Sequence, residues 1–281
     1  MFSHLAKEAA IRQAAALCHF PAGRISCLQD RREWKSALLE AARQHTETLV
    51  FVFPAQAQEA LCSFLQDALT IPELLAELLH HIRYSVLVLP GPFQAVTVHL
   101  QYLCSLSDHL EMQQETARAL AGAAAEIQAD AGPGAPSWKR AYALARYAVR
   151  HWDYLETGSP LQFTPGQVLC RRSGVCMGIS LAACLLARRL ALPCRCVTGR
   201  RSADSADGHA WDLIYTTRAG QSGWFHIDLT DAITQRDPLA FWGITDLALT
   251  GRTLDPSVRL PQPLLCPCPA AFLRRQTLHL P

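Results

Sequence analysis

The chain has no apolar run long enough to cross a membrane: no stretch reaches roughly eighteen apolar residues without a charge. Nor does it open on a secretory leader. Such a leader needs a basic start and then an unbroken apolar core. In M-F-S-H-L-A-K-E-A-A-I-R, the residues Lys7, Glu8 and Arg12 interrupt one. The expected location is the cytoplasm. An excess of one charge is also missing. Lys and Arg number 26 against 24 Asp and Glu, and Arg171-Arg172, Arg188-Arg189 and Arg200-Arg201 are pairs, not runs. That argues against a nucleic-acid partner or an anionic membrane surface. No internal repeat is present.

What the chain does have is apolar content and cysteine. Half of its 281 residues are hydrophobic and 18% are charged. This is the balance of a globular protein with a sizeable core, not of a disordered one. The length suits one large domain or two modest ones. The cysteine count, 11, is high and odd. Without a leader, these read as reduced thiols and not as a disulfide framework.

The pattern along the chain predicts an α+β protein. T-E-T-L-V-F-V-F-P reads as a strand stopped by Pro54. Residues from about 56 to 81 show helical spacing, with a second helix starting at Pro72 and His80-His81 near a helix end. The runs on either side of Pro90-Gly91-Pro92 read as a hairpin. A helix follows from Ser107 to about Ala129, with Ser107 or Asp108 as its cap. Ala131-Gly132-Pro133-Gly134-Ala135-Pro136 is the clearest linker. It sets an expected division into an N-terminal α+β region, 1–130, a core, 137–255, and a Pro-rich tail, 256–281. In the core, a helix over Ser137–Tyr154 precedes a second over Met177–Leu192. Strands are expected at Cys194–Thr198, Gly208–Thr217 and Trp224–Thr230, and a helical piece near Asp237–Leu247.

One short stretch carries chemistry. In R-R-S-G-V-C-M-G-I-S, Cys176 stands at the first turn of its predicted helix. Unpaired amides and aligned peptide dipoles there favour a thiolate. Gly174 and Gly178 keep bulk away from the sulfur and, with Trp211, are expected to line a substrate cleft. A thiolate needs a base, and His209 in G-H-A-W is the candidate. Alternation puts His209, Trp211 and Leu213 on one strand face. The base needs an orienting acid. Asp228 in W-F-H-I-D-L-T shares a face with Trp224 and His226. Antiparallel pairing of the two strands would bring it to His209. His226 competes as a base but would stand beside the carboxylate. The backbone amide of Cys176 is one oxyanion donor, and the side chain of Gln167 is the candidate for a second.

The motifs G-V-C-M-G-I-S, G-H-A-W-D-L-I and W-F-H-I-D-L-T together resemble the transglutaminase-like superfamily, in particular its bacterial cysteine-peptidase-type members. The resemblance covers about residues 137–250. It implies a papain-like α+β core: a helix bearing the cysteine, packed on an antiparallel sheet bearing the histidine and aspartate. It also implies amide chemistry through a thioester, with Cys176 as nucleophile, His209 as base and Asp228 as orienting acid. Two positions depart from the family pattern. Asp212 stands where many bacterial members have Asn, and Asp231 where many have Trp. Both bear on the wall of the cleft.

The expected activity is hydrolysis of a peptide-like amide, so the expected partner is a peptide or protein substrate. Transfer to an amine, as in a crosslinking transglutaminase, and a non-catalytic binding or scaffold role are the alternatives. The scheme needs no cofactor. No metal site is expected either. Cys194-x-Cys196 and Cys266-x-Cys268 could supply four thiolates, but the first pair reads as same-face strand residues and prolines flank the second. The sequence does not set the oligomeric state.

Overall fold

A computed structural model describes residues 3–68, 74, 79–201, 208–218, 221–244 and 252–254. The chain divides into two compact units, Met1–His109 and Leu110–Pro281.

The first unit contains α1 (His4–Leu17), β1 (Ser26–Cys27), α2 (Arg31–Arg43), β2 (Thr48–Pro54), α3 (Gln58–Asp67), β3 (Leu79–Val88) and β4 (Phe93–Tyr102). Its sheet runs in the order β1-β2-β4-β3. β2 is buried on both faces, which is why it reads as a continuous apolar run. Phe51 and Phe53 pack with Val96, Val98 and the α2 residues Trp34 and Leu38. Val50 and Val52 pack with Ala10 and Ala14 of α1. The hairpin forms as expected, with Val88 opposite Gln94. His80-His81 lies in β3 and not at a helix end, because strand pairing extends back to Leu79 opposite Tyr102. The helix start expected at Pro72 lies outside the described residues.

A long helix, α4 (Leu106–Ala131), leads into the second unit. Its first amides are met by Ser105, whose Oγ accepts from Asp108 N; the cap is Ser105, not Ser107 or Asp108. The Ala131–Pro136 linker joins α4 to α5 (Ser137–His151). The two helices share one core: Leu120, Ala123 and Ile127 cluster with Ala141, Leu144 and Ala148. Then come β5 (Asp153–Tyr154), a 3₁₀ turn (Pro160–Phe163), α6 (Pro165–Arg171), β6 (Ser173–Gly174) and α7 (Cys176–Arg189). Strands β7 (Cys194–Arg200), β8 (Gly208–Arg218) and β9 (Gln221–Ile227) are followed by α8 (Leu229–Gln235), β10 (Trp242–Ile244) and β11 (Thr253–Leu254).

The larger sheet has the order β10-β9-β8-β7-β11, and every described pairing in it is antiparallel. α7 is the hub. Ile179, Ala182, Ala183, Leu186 and Ala187 are buried around it, as expected for a helix enclosed by its own domain. Arg188 and Arg189 in its last turn complement the helix dipole. The arrangement is the expected α+β one: a cysteine-bearing helix against an antiparallel sheet. Over its described part, 237–244, the expected helix near Asp237–Leu247 is instead a turn leading into β10 at Trp242; the rest of it lies outside the described residues. The Pro-rich tail, including Cys266 and Cys268, lies outside the described residues. Among the described residues, no helix is long and apolar enough to cross a membrane.

Candidate active site

α7 begins with Cys176 and has Val175 as its N-cap, which supplies no side-chain bond. The first amides of the helix are therefore left to face other acceptors. Cys176 is half-buried. Burial pushes its thiol up, but a bond from His209 and the backbone amides of Ala210 and Met177 outweigh burial. The net direction is below the ordinary 9.0.

His209 is the second residue of β8 and is 5% exposed. Its Nε2 lies 2.6 Å from Asp228 Oδ2, which leaves Nδ1 as the nitrogen for the sulfur. Burial lowers this imidazole, while Asp228 and Cys176 raise it; the net direction is above 6.5. Trp211 stacks behind the ring, with centroids 5.8 Å apart.

Asp228 lies one residue beyond β9, as the N-cap of α8, and not within the strand. The β8–β9 ladder ends at Asp212 opposite Ile227. The cap position frees the side chain to work at both oxygens. Oδ1 accepts from Asp231 N at 3.1 Å. Oδ2 accepts from His209 and from Arg252 Nη2 at 2.6 Å and Nε at 3.1 Å. A fully buried carboxylate must be compensated in this way. Burial raises Asp228, but His209 and Arg252 outweigh it and hold the carboxyl below 3.8.

Arg252 was not legible in the sequence. It stands just before β11, which joins the sheet at its β7 edge. Its guanidinium also pairs with Asp231 and stacks on Phe241, 3.5 Å from the ring centroid. Asp231 further pairs with Arg201 at 3.3 Å. One departure from the family pattern, Asp231, thus holds a cation network. The other, Asp212, is fully buried and is no part of the cleft wall.

The sulfur opens onto a cavity of about 520 Å³ lined by Tyr154, Gln162, Phe163, Cys176, Arg201 and His209, among others. Tyr154 donates to Glu156 at 2.7 Å. Burial and that contact push the phenol up to about 12.

Four expected placements need correction. Gln167 does not line this cavity; it lines a small pocket with Met112, Thr116 and Cys170. Gln162 lines the cavity instead; its Oε1 accepts from Thr157 N at 2.7 Å, leaving Nε2 as the other end of the amide. Trp211 is fully buried and lies behind His209, outside the cleft lining. Its Nε1 donates to His226 Nδ1 at 2.8 Å, which ties up the competing histidine. Gly174 and Gly178 do make room, but for protein backbone. A Cβ on Gly174 would meet Val168 Cγ2 at 2.7 Å and the Gln162 carbonyl at 2.9 Å. On Gly178 it would meet the Gln162 carbonyl at 2.5 Å.

This decides the sign of a substitution. Gly→Ala inside a helix ordinarily gains about 1 kcal/mol. At Gly178 the clash is with main chain that cannot rotate away, an overpacking cost of about 1–3 kcal/mol. Gly178→Ala is expected to lower the melting temperature and displace the Gln162 turn; a melting curve at or above the parent's would contradict it.

Residues 122–229 match the family model described as Transglutaminase-like superfamily, Transglut_core. This stretch is similar to the transglutaminase-like superfamily. The superfamily region takes in Cys176, His209 and Asp228, but not Arg252. Solved structures resemble the chain distantly. One, of a TGase, is 12% identical at a TM-score of 0.34, covering 73% of this chain. The present chain spans 59% of that structure's length. Another, a candidate cysteine protease from Cytophaga hutchinsonii, is 14% identical at a TM-score of 0.34, covering 62% of this chain and 71% of its own. No curated protein matches the chain.

Proposed function

We propose that the chain is a cysteine enzyme that hydrolyses amide bonds in peptide-like substrates through a thioester. The observation that carries this reading is the 2.6 Å contact between His209 Nε2 and a buried, doubly compensated Asp228 carboxylate, beside a thiol held below its ordinary pKa at a helix start. Nδ1 of His209 takes the proton of Cys176. The thiolate attacks the amide carbonyl, and Asp228 steadies the imidazolium that results. The tetrahedral oxyanion faces the Cys176 amide and Nε2 of Gln162. His209 then protonates the leaving amine. Water, deprotonated by His209, resolves the thioester.

Gln162→Ala is expected to lower kcat about 10²-fold or more, with KM little changed, as for loss of one oxyanion donor. An equal effect from Gln167→Ala would contradict the assignment. The cytoplasm suits an enzyme whose nucleophile must stay reduced.

The deciding experiment offers the chain a fluorogenic peptide-amide library with and without a labelled primary amine. Release of amine with no label incorporated supports hydrolysis. Label incorporated into a glutamine-bearing acceptor would replace hydrolysis with amine transfer. Silence in both, with Cys176 no more reactive than other thiols, would favour a binding module.

A further inference from the structure

The face of β8 turned toward α7 carries a second cluster that the proposed chemistry does not use. Asp212 is fully buried there. Its Oδ1 is 3.4 Å from Cys184 Sγ, and Cys184 Sγ is 3.6 Å from Cys194 Sγ. Asp212 Oδ2 has no hydrogen-bond partner. The three ligand atoms lie within 4.8 Å of one another. One oxygen of this buried carboxyl is thus paired with Cys184 and the other, Oδ2, is left unsatisfied, which is costly.

The spacing says which one. Zinc binds thiolate sulfur at about 2.3 Å and carboxylate oxygen at about 2.0 Å. At tetrahedral angles those bonds set edges of about 3.8 Å between two sulfurs and about 3.5 Å between sulfur and oxygen. The two contacts above are close to these edges, and the third pair, Cys194 and Asp212, lies within 4.8 Å. Thiolate pairs with one carboxylate suit a borderline-soft divalent cation better than calcium or magnesium, which take oxygen ligands.

We propose that Cys184, Cys194 and Asp212 form a binding site for Zn²⁺ or a cation of the same class, distinct from the Cys176 centre. The three residues supply three of the four ligands that a tetrahedral site takes, and the fourth is left to a water or another small donor. Cysteine binds a metal as thiolate, so the ion displaces thiol protons on entry. The three ligands come from α7, β7 and β8. The ion therefore ties the helix that starts at Cys176 to the strand that carries His209. No short spacing announces such a site, because the ligands meet only when the helix lies on the sheet.

The test uses the full reduced chain. Zn²⁺ uptake is measured by equilibrium dialysis, and alkylation is mapped by mass spectrometry with and without Zn²⁺. One equivalent bound, with Cys184 and Cys194 both protected, is the expected result. In the Cys176→Ser chain, Co²⁺ is expected to show the visible bands of tetrahedral coordination with thiolate charge transfer. Asp212→Asn keeps the shape and removes the charge, and it is expected to weaken binding roughly tenfold or more. No stoichiometric uptake by the unaltered chain overturns the proposal. So does protection that maps to other cysteines. Both of these outcomes are read on the parent chain and need no variant to fold.

Discussion

Cys176→Ala is expected to lower peptide-amide hydrolysis by roughly 10⁴-fold or more, as when a catalytic nucleophile is removed. In barrier terms that is about 5.5 kcal/mol. The fold should not change. The side chain is half-buried, and alanine serves at least as well as cysteine within a helix. Circular dichroism and melting temperature should match the parent. The same variant tests the thiolate directly. At neutral pH, iodoacetamide should label Cys176 well ahead of Cys196, whose thiol burial holds well above 9.0, and the fast phase should vanish in the variant. Uniform slow labelling of the parent would sink the assignment.

Asp228→Asn is expected to cost about 10³- to 10⁴-fold in kcat, because the amide cannot hold the imidazolium or fix its tautomer. The pH profile makes the role specific. Against the pull of burial, Asp228 and Cys176 raise His209, while His209 and two amides lower Cys176. The thiolate–imidazolium pair therefore exists from a lower limb set by Cys176 to an upper limb set by His209. Removing the carboxylate charge lets the imidazole fall, moving the upper limb to lower pH. With less positive charge beside it, the thiol rises and moves the lower limb up. The active window should narrow from both sides. A variant with reduced rate but an unmoved profile would make Asp228 a structural residue only. In the parent, Asp228 contributes stability above its unfolded pKa, near 3.8. That contribution is lost as pH falls through its lowered folded value.

Much of the site was legible because each part announces itself locally. An apolar helical pattern after Gly174-Val175 places Cys176, and alternation in G-H-A-W-D-L-I places His209 on one strand face with Trp211 and Leu213. W-F-H-I-D with the β8–β9 pairing brings Asp228 near. What failed were readings that depend on two backbone segments meeting. Gly178 looked like space for a substrate, but the Gln162 carbonyl fills it. Gln167 is the amide that follows Phe163 and Gln162 precedes it; the turn at Pro160–Phe163, fixed by the Ser159 cap, is what puts Gln162 on the cavity. Trp211 shares a strand face with His209 as alternation requires, yet that face is sealed by Val197, Leu213 and Trp224. In the first unit, β2 was plain from composition, whereas β3 was extended by pairing with Tyr102, which no local pattern at His80-His81 signals.

The guanidinium on Asp228 has a practical corollary. Arg252 lies beyond the family-matched stretch, and its strand enters the sheet at the edge farthest from β10. The segment that keeps this site compensated is therefore longer than the family-matched stretch. A gene trimmed at the last motif would leave the acid with one counter-ion fewer, so expression boundaries should be drawn downstream of Leu254.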